Sequence, residues 1–124
     1  MPFPAGGYFV PPGGLQINGI GELKEVIVGP VLQVARFKSD GLDQVIADIN
    51  ASGFGLTFGI HTRIDDRVTD VTRKLKVGNI YVNRNQIGAV VGSQPFGGEG
   101  LSGTGPKAGG PDYVVRFTDP GRAI

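Results

Sequence analysis

From Leu42 onward the apolar residues Leu42, Val45, Ile46 and Ile49 recur at i, i+3, i+4 and i+7, which predicts a helix with one apolar stripe. Asp40 stands where a capping side chain is expected, and Gly53 is placed to end the helix in a left-handed conformation. A second helix is predicted with Val68, Val71 and Leu75 as its buried stripe. Asp65 and Asp66 meet the positive end of its dipole, and Arg73, Lys74 and Lys76 the negative end. Between and around these helices lie three strand candidates. Pro30–Phe37 carries Val31, Leu32, Val34 and Phe37 and reads as a largely buried strand. Leu56–Thr62 is the second, and Asn79-Ile80-Tyr81-Val82, entered from Gly78, is the third. The order β-α-β-α-β with tight connections predicts an α/β fold with a parallel sheet and right-handed crossovers. Three parallel strands leave edges exposed, so part of a larger sheet is expected. Near the end, Tyr113, Val115 and Phe117 alternate as in an edge strand with one buried face, so the chain is expected to self-associate or to bind the missing part of its domain.

Composition narrows the function classes. The net charge is +1 with acids and bases interspersed, so nothing draws the chain to nucleic acid or to an acidic membrane. No apolar run approaches the ~18 residues needed to span a bilayer. Met1-Pro2-Phe3-Pro4 has neither the basic flank nor the apolar stretch of a secretory signal, and a cytoplasmic location is expected. The absence of cysteine removes disulfides, thiolate metal sites and thiol nucleophiles together. With His61 as the only histidine, a zinc site would need carboxylates around it, and no metal is expected.

Glycine is clustered at Gly6–Gly21 and more densely at Gly88–Gly110. The segment Asn83–Pro111 is long and aperiodic and follows a strand directly, a setting in which loops are functional or disordered. Its alternation of glycines with apolar residues argues against a solvated linker, and successive glycines can bring backbone N–H groups to an anion. Gly98-Glu99-Gly100-Leu101-Ser102-Gly103 matches G-x-G-x-x-G, but no strand precedes it and no clear helix follows. A Walker-type reading fails as well, because Pro106 precedes Lys107 and Ala108 follows it. A purely structural Gly-rich loop stays open. Ser93 and Ser102 have only His61 to activate them and no nucleophile-elbow motif, so a hydrolytic triad is not expected.

The run Gln94-Pro95-Phe96-Gly97-Gly98-Glu99-Gly100-Leu101-Ser102-Gly103-Thr104-Gly105 resembles the aldehyde-dehydrogenase signature of Pro-Phe-Gly-Gly followed by Ser-Gly. Gly78–Gln86 and Gly88-Ala89-Val90-Val91-Gly92 are similar to the 1-pyrroline-5-carboxylate (glutamate-γ-semialdehyde) dehydrogenases, especially those of bifunctional proline-utilization flavoenzymes. The resemblance runs from Gly7-Tyr8-Phe9-Val10-Pro11-Pro12 to Val115-Arg116-Phe117. It implies that residues 1–124 are the C-terminal part of an aldehyde dehydrogenase catalytic domain with a long Gly-rich substrate loop. It further implies that the backbone amides of Gly88 and Ala89 grip the α-carboxylate of the semialdehyde, and that Phe96 packs on its aliphatic part. Amide donors suit a carboxylate, and a ring excludes water beside the reacting aldehyde. Core packing is the alternative for Phe96.

Two departures bear on activity. The nucleophilic cysteine and the NAD-binding domain of such enzymes lie upstream of the residues matched here, and this chain holds no thiol. The resemblance also implies a Glu-hydrophobic-Phe-Gly-Pro motif whose Glu holds the nicotinamide-side ribose and whose Phe packs near the nicotinamide. Aligned on Gly29-Pro30 those positions are Val26 and Val28, and Glu25 would face the other way on an extended segment. The expectation is therefore a segment of an NAD-dependent glutamate-semialdehyde dehydrogenase of proline catabolism, inactive alone and partnered by the missing upstream domains. The alternative is a non-catalytic interaction module that keeps the fold for assembly.

Overall fold

A computed structural model describes residues 6–87, 90, 92–103 and 105–118. The chain divides into two compact units, Met1–Asp48 and Ile49–Ile124. In the first, β1 (Gly13–Ile17) and β2 (Val31–Ala35) form a two-stranded parallel sheet in the register Gly13↔Val31 to Ile17↔Ala35. A 3₁₀ turn at Ile20–Glu22 lies on the connection, fastened by the Asn18 side chain on Glu22. Helix α1 (Leu42–Ala51) starts in this unit, and Gly41, not Asp40, is the residue before its first turn, its carbonyl accepting from the Val45 N–H. The side chain of Asp40 thus sits one residue too early for the expected cap.

The second unit holds β3 (Phe54–Gly55), β4 (Thr57–Ile60), α2 (Asp65–Lys74), β5 (Asn79–Val82), β6 (Glu99–Gly100) and α3 (Val115–Thr118). Gly53 adopts φ +75 after α1, the left-handed ending expected of it. Strands β4 and β5 pair in parallel across α2, and β3 pairs antiparallel with β6. Asp65 and Asp66 open α2, and Arg73 and Lys74 close it. Val71 is 1% exposed and Leu75 is buried with Val77 and Tyr81, while Val68 is half-buried. The stripe read from the sequence is therefore the face that α2 buries.

Three further expectations need correction. The three strand candidates do not share one sheet among the described residues: β2 pairs with β1, and β4 with β5. Gly-Gly-Leu-Gln-Ile lacks the continuous apolar run of a buried strand, so β1 gave no signal, yet its backbone supplies the ladder for β2. Nor is β2 largely buried, since Leu32 is 65% and Val34 44% exposed. Finally, the expected edge strand at Tyr113–Phe117 is a turn leading into α3. Tyr113 and Phe117 meet edge to face at 5.4 Å, because residues at i and i+4 share a helical face as readily as they alternate on a strand.

Three asparagines tie the second unit together by one device. A carboxamide offers a donor and an acceptor side by side, as a peptide group does. Asn50 donates to the Lys74 carbonyl at 2.8 Å and accepts from the Lys76 N–H at 2.9 Å, bracketing Leu75. Asn83, at φ +54, donates to the Thr62 carbonyl and accepts from its N–H, both at 2.9 Å. Asparagine tolerates that left-handed conformation better than most side chains. Asn79 makes the third such clamp.

Val71→Ala should cost about 2 kcal/mol of stability because its methyl groups leave a void in a closed contact, whereas Leu32→Ser should stay within about 0.5 kcal/mol. Urea midpoints of the two variants decide this. Equal shifts would contradict the burial pattern.

Candidate substrate-loop site

The N–H groups of Gly78 and Asn79 donate to the carbonyls of Gly55 and Leu56, so the start of β5 is fixed before the loop returns to it. The Asn79 carboxamide then donates to the Pro95 carbonyl at 3.0 Å and accepts from the Gly97 N–H at 3.1 Å. Phe96, between them, donates its N–H to the Ala108 carbonyl at 3.0 Å and accepts from the Ala108 N–H at 2.8 Å. Its backbone is therefore gripped on two sides, and its side chain is half-buried.

Glycine makes the approach possible. A Cβ at Gly78 would overlap the Gly97 carbonyl oxygen and crowd Gly98 Cα. Gly98 and Gly103 would each strike the other's segment of loop if they carried a side chain. The glycines of the apparent G-x-G-x-x-G run are thus spent on packing backbone against backbone rather than on opening a phosphate cradle. Glu99–Gly100 forms β6 and Leu101–Ser102 a turn, so the helix that a dinucleotide fingerprint requires does not follow among the described residues.

Farther along, the Gly55 N–H donates to Ser102 Oγ at 3.2 Å, and the Leu101 N–H to the Gly53 carbonyl at 2.9 Å. Lys107 Nζ donates to the Gly78 carbonyl. Ser102 is thereby a fastening of the loop, and His61 is exposed just beyond β4, with no triad between them. No group of three or more metal-ligating side chains occurs among the described residues. Nor is any described helix long and apolar enough to cross a membrane.

Of the residues singled out in the sequence, Gly88 and Ala89 lie outside the described residues. Phe96 is on the fastened turn. Val26 and Val28 belong to the other unit, in an irregular segment before Gly29, and are 64% and 94% exposed. Sequence reasoning missed Asn79 and Ala108 as the groups that hold the main chain at Phe96, and Lys107, which binds the Gly78 carbonyl. One signal was available: asparagine is a poor strand former, yet Asn79 opens β5.

The model of the aldehyde dehydrogenase family matches residues 6–121, nearly the whole chain. The chain belongs to the aldehyde dehydrogenase family. Among curated proteins this family member is similar to the bifunctional protein PutA of Klebsiella aerogenes, at 60% identity over 111 residues. That match takes in 90% of the chain but only 8% of the relative. The mitochondrial delta-1-pyrroline-5-carboxylate dehydrogenase of Homo sapiens is 38% identical over 92% of the chain and 21% of its own length. Among solved structures, proline utilization A of Bradyrhizobium japonicum superposes with a TM-score of 0.88 at 53% identity, covering 94% of the chain and 12% of that protein. The chain thus spans a small fraction of the relatives it matches, and over that span both sequence and fold agree with them.

Gly78→Ala should lower stability by more than about 2 kcal/mol, because the new methyl group meets backbone that cannot swing aside. Gly14→Ala on β1, with nothing within 4 Å of its Cβ position, should change stability by no more than about 0.5 kcal/mol. Thermal melts of both variants test the close approach, and equal losses would argue that the loop yields.

Proposed function

We propose that the chain is a segment of an NAD-dependent L-glutamate γ-semialdehyde (1-pyrroline-5-carboxylate) dehydrogenase of proline catabolism, and that it supplies the loop that anchors the substrate. The observation that carries this reading is the 60% identity to a bifunctional PutA protein over 90% of the chain, which includes that loop. In it, the Gly88 and Ala89 amides bind the α-carboxylate, and the Phe96 ring lies along the aliphatic chain and keeps water from the aldehyde carbon. The backbone clamp on Phe96 supports that role, since a ring on a fixed main chain orients substrate at little entropic cost.

The chain holds no cysteine, so the thiolate that attacks the aldehyde belongs to another part of the dehydrogenase. Val26 and Val28 are aliphatic and exposed and offer no acceptor to a ribose hydroxyl, so the residues at these positions do not fit the nicotinamide half of NAD. The cofactor is assigned to the remainder of the enzyme, and so are the partner contacts of a cytoplasmic, oligomeric assembly. Val26 and Val28 favour a second reading, a non-catalytic module that keeps the dehydrogenase fold for assembly.

The chain alone should form no NADH from glutamate semialdehyde above background, and steady turnover co-purifying with it would overturn the proposal. A graft of residues 6–121 into the PutA of Klebsiella aerogenes, in place of the matching segment, separates the two readings. The graft should oxidise the semialdehyde, and Val26→Glu with Val28→Phe should raise its hydride-transfer rate by about tenfold, the scale of hydrogen bonds regained at the ribose. A graft that folds, binds NAD and stays inactive before and after the double change would favour the assembly module.

A further inference from the structure

The substrate reading assigns Phe96 a task but not the means by which a residue on a glycine-rich loop holds its ring in place. Main-chain freedom at Gly97 and Gly98 would let the ring drift, and a displacement near 1 Å can cost about a hundredfold in rate. Asn79 stands where it removes that freedom. Its Nδ2 donates to the carbonyl of Pro95 at 3.0 Å and its Oδ1 accepts from the N–H of Gly97 at 3.1 Å, both part-buried. These are the residues immediately before and after Phe96. The orientation of the carboxamide follows from its partners, because a carbonyl only accepts and an amide N–H only donates. With the Ala108 pair on Phe96 itself, four hydrogen bonds fix the main chain through the ring's own residue.

We propose that Asn79 is a positioning residue for the dehydrogenase reaction: by clamping Pro95 and Gly97 it aims the Phe96 ring at the aliphatic part of the semialdehyde and so sets substrate affinity. The inference rests on the substrate reading of Phe96 given above. The acidic and shorter alternatives do not do the same work at this position. Aspartate keeps the acceptor and loses the donor, and its charge would face the Pro95 carbonyl. Serine is too short to span both groups, and alanine has neither. Two features beside Asn79 serve the same contact. Gly78 has no Cβ, which lets the Gly97 carbonyl come close, and Lys107 Nζ holds the Gly78 carbonyl.

Asn50 supplies an internal comparison. It brackets Leu75 with the same donor and acceptor pair, but Leu75 is a buried core residue, so that clamp serves stability alone. If the clamp at Asn79 were only structural, the two asparagines would behave alike.

The test uses the grafted PutA and the semialdehyde as substrate. Asn79→Ala should raise KM for the semialdehyde about tenfold, the scale of two part-buried hydrogen bonds, with KM for NAD within about twofold of the parent. Asn79→Asp, which keeps the bond from the Gly97 N–H but sets a charge against the Pro95 carbonyl, should also raise KM and decides the matter if the alanine variant does not fold. Asn50→Ala should lower the melting temperature without moving KM for the semialdehyde. In a Phe96→Ala background, Asn79→Ala should add less than about a twofold change, since a residue acting through the ring has nothing left to position. Additive effects, or an unchanged KM in the folded Asn79 variants while Phe96→Ala raises it, would overturn the role of Asn79 alone. If Phe96→Ala leaves KM unchanged, or the folded graft turns over no semialdehyde before and after Val26→Glu with Val28→Phe, the substrate reading falls and the role of Asn79 with it.

Discussion

A loop rich in glycine loses more conformational entropy on ordering than any other kind of segment, so something must hold the described residues of the 92–110 segment against the start of β5. The junction of Gly78-Asn79 with Pro95–Gly98 is that contact. It needs two unlike properties from adjacent residues: no side chain at all on Gly78, so that backbone meets backbone, and a paired donor and acceptor on Asn79. The remaining fastenings, Phe96 with Ala108, Ser102 with Gly55 and β6 with β3, extend from this junction and depend on the loop having been brought there. The carboxamide acts as a borrowed peptide group where the strand ladder begins. Asn50 and Asn83 use the same substitution at the end of α1 and directly after β5.

This unit has a small buried core, with Val71, Leu75, Val77 and Tyr81 as its closed centre, while many large apolar side chains on the described residues face outward. Leu32 and Val34 on β2, and Val26 to Val28 before it, belong to that outward set. Surfaces of this kind mark interaction sites in proteins that remain soluble. Relatives several times longer, in which the same stretch is a minor fraction of the chain, are consistent with further structure covering them.

Much of the fold was legible in local pattern. The apolar spacing of Leu42–Ile49 and Val68–Leu75, the charges at the ends of α2 and the glycine at position 53 located α1 and α2 and the ending of the first. Strands β2, β4 and β5 were found from their apolar runs. What failed was pairing and burial, which depend on partners distant in sequence. Strand β1 was hidden by Gly13, Gly14 and Gln16, and the sheet was drawn as three strands where the described residues form three two-stranded sheets. Tyr113, Val115 and Phe117 satisfied a strand period while Tyr113 and Phe117 also satisfied a helical one, and the helix won. At the site, the motif Gln94–Gly105 pointed to the family and to Phe96, whereas Asn79 acts on residues 16 and 18 positions away and left only its poor strand propensity as a trace.

The fastening of the loop to β5 is tested most directly by amide hydrogen exchange on the chain. The Gly97 N–H is bound by the Asn79 carboxamide, and the Phe96 and Ala108 N–H groups by each other's residue. All three should exchange as slowly as the amides of β5, and Asn79→Ala should release Gly97 first. Exchange of Gly97 and Phe96 at the rate of an unstructured glycine-rich segment, while β5 stays protected, would contradict the fastening and everything built on it.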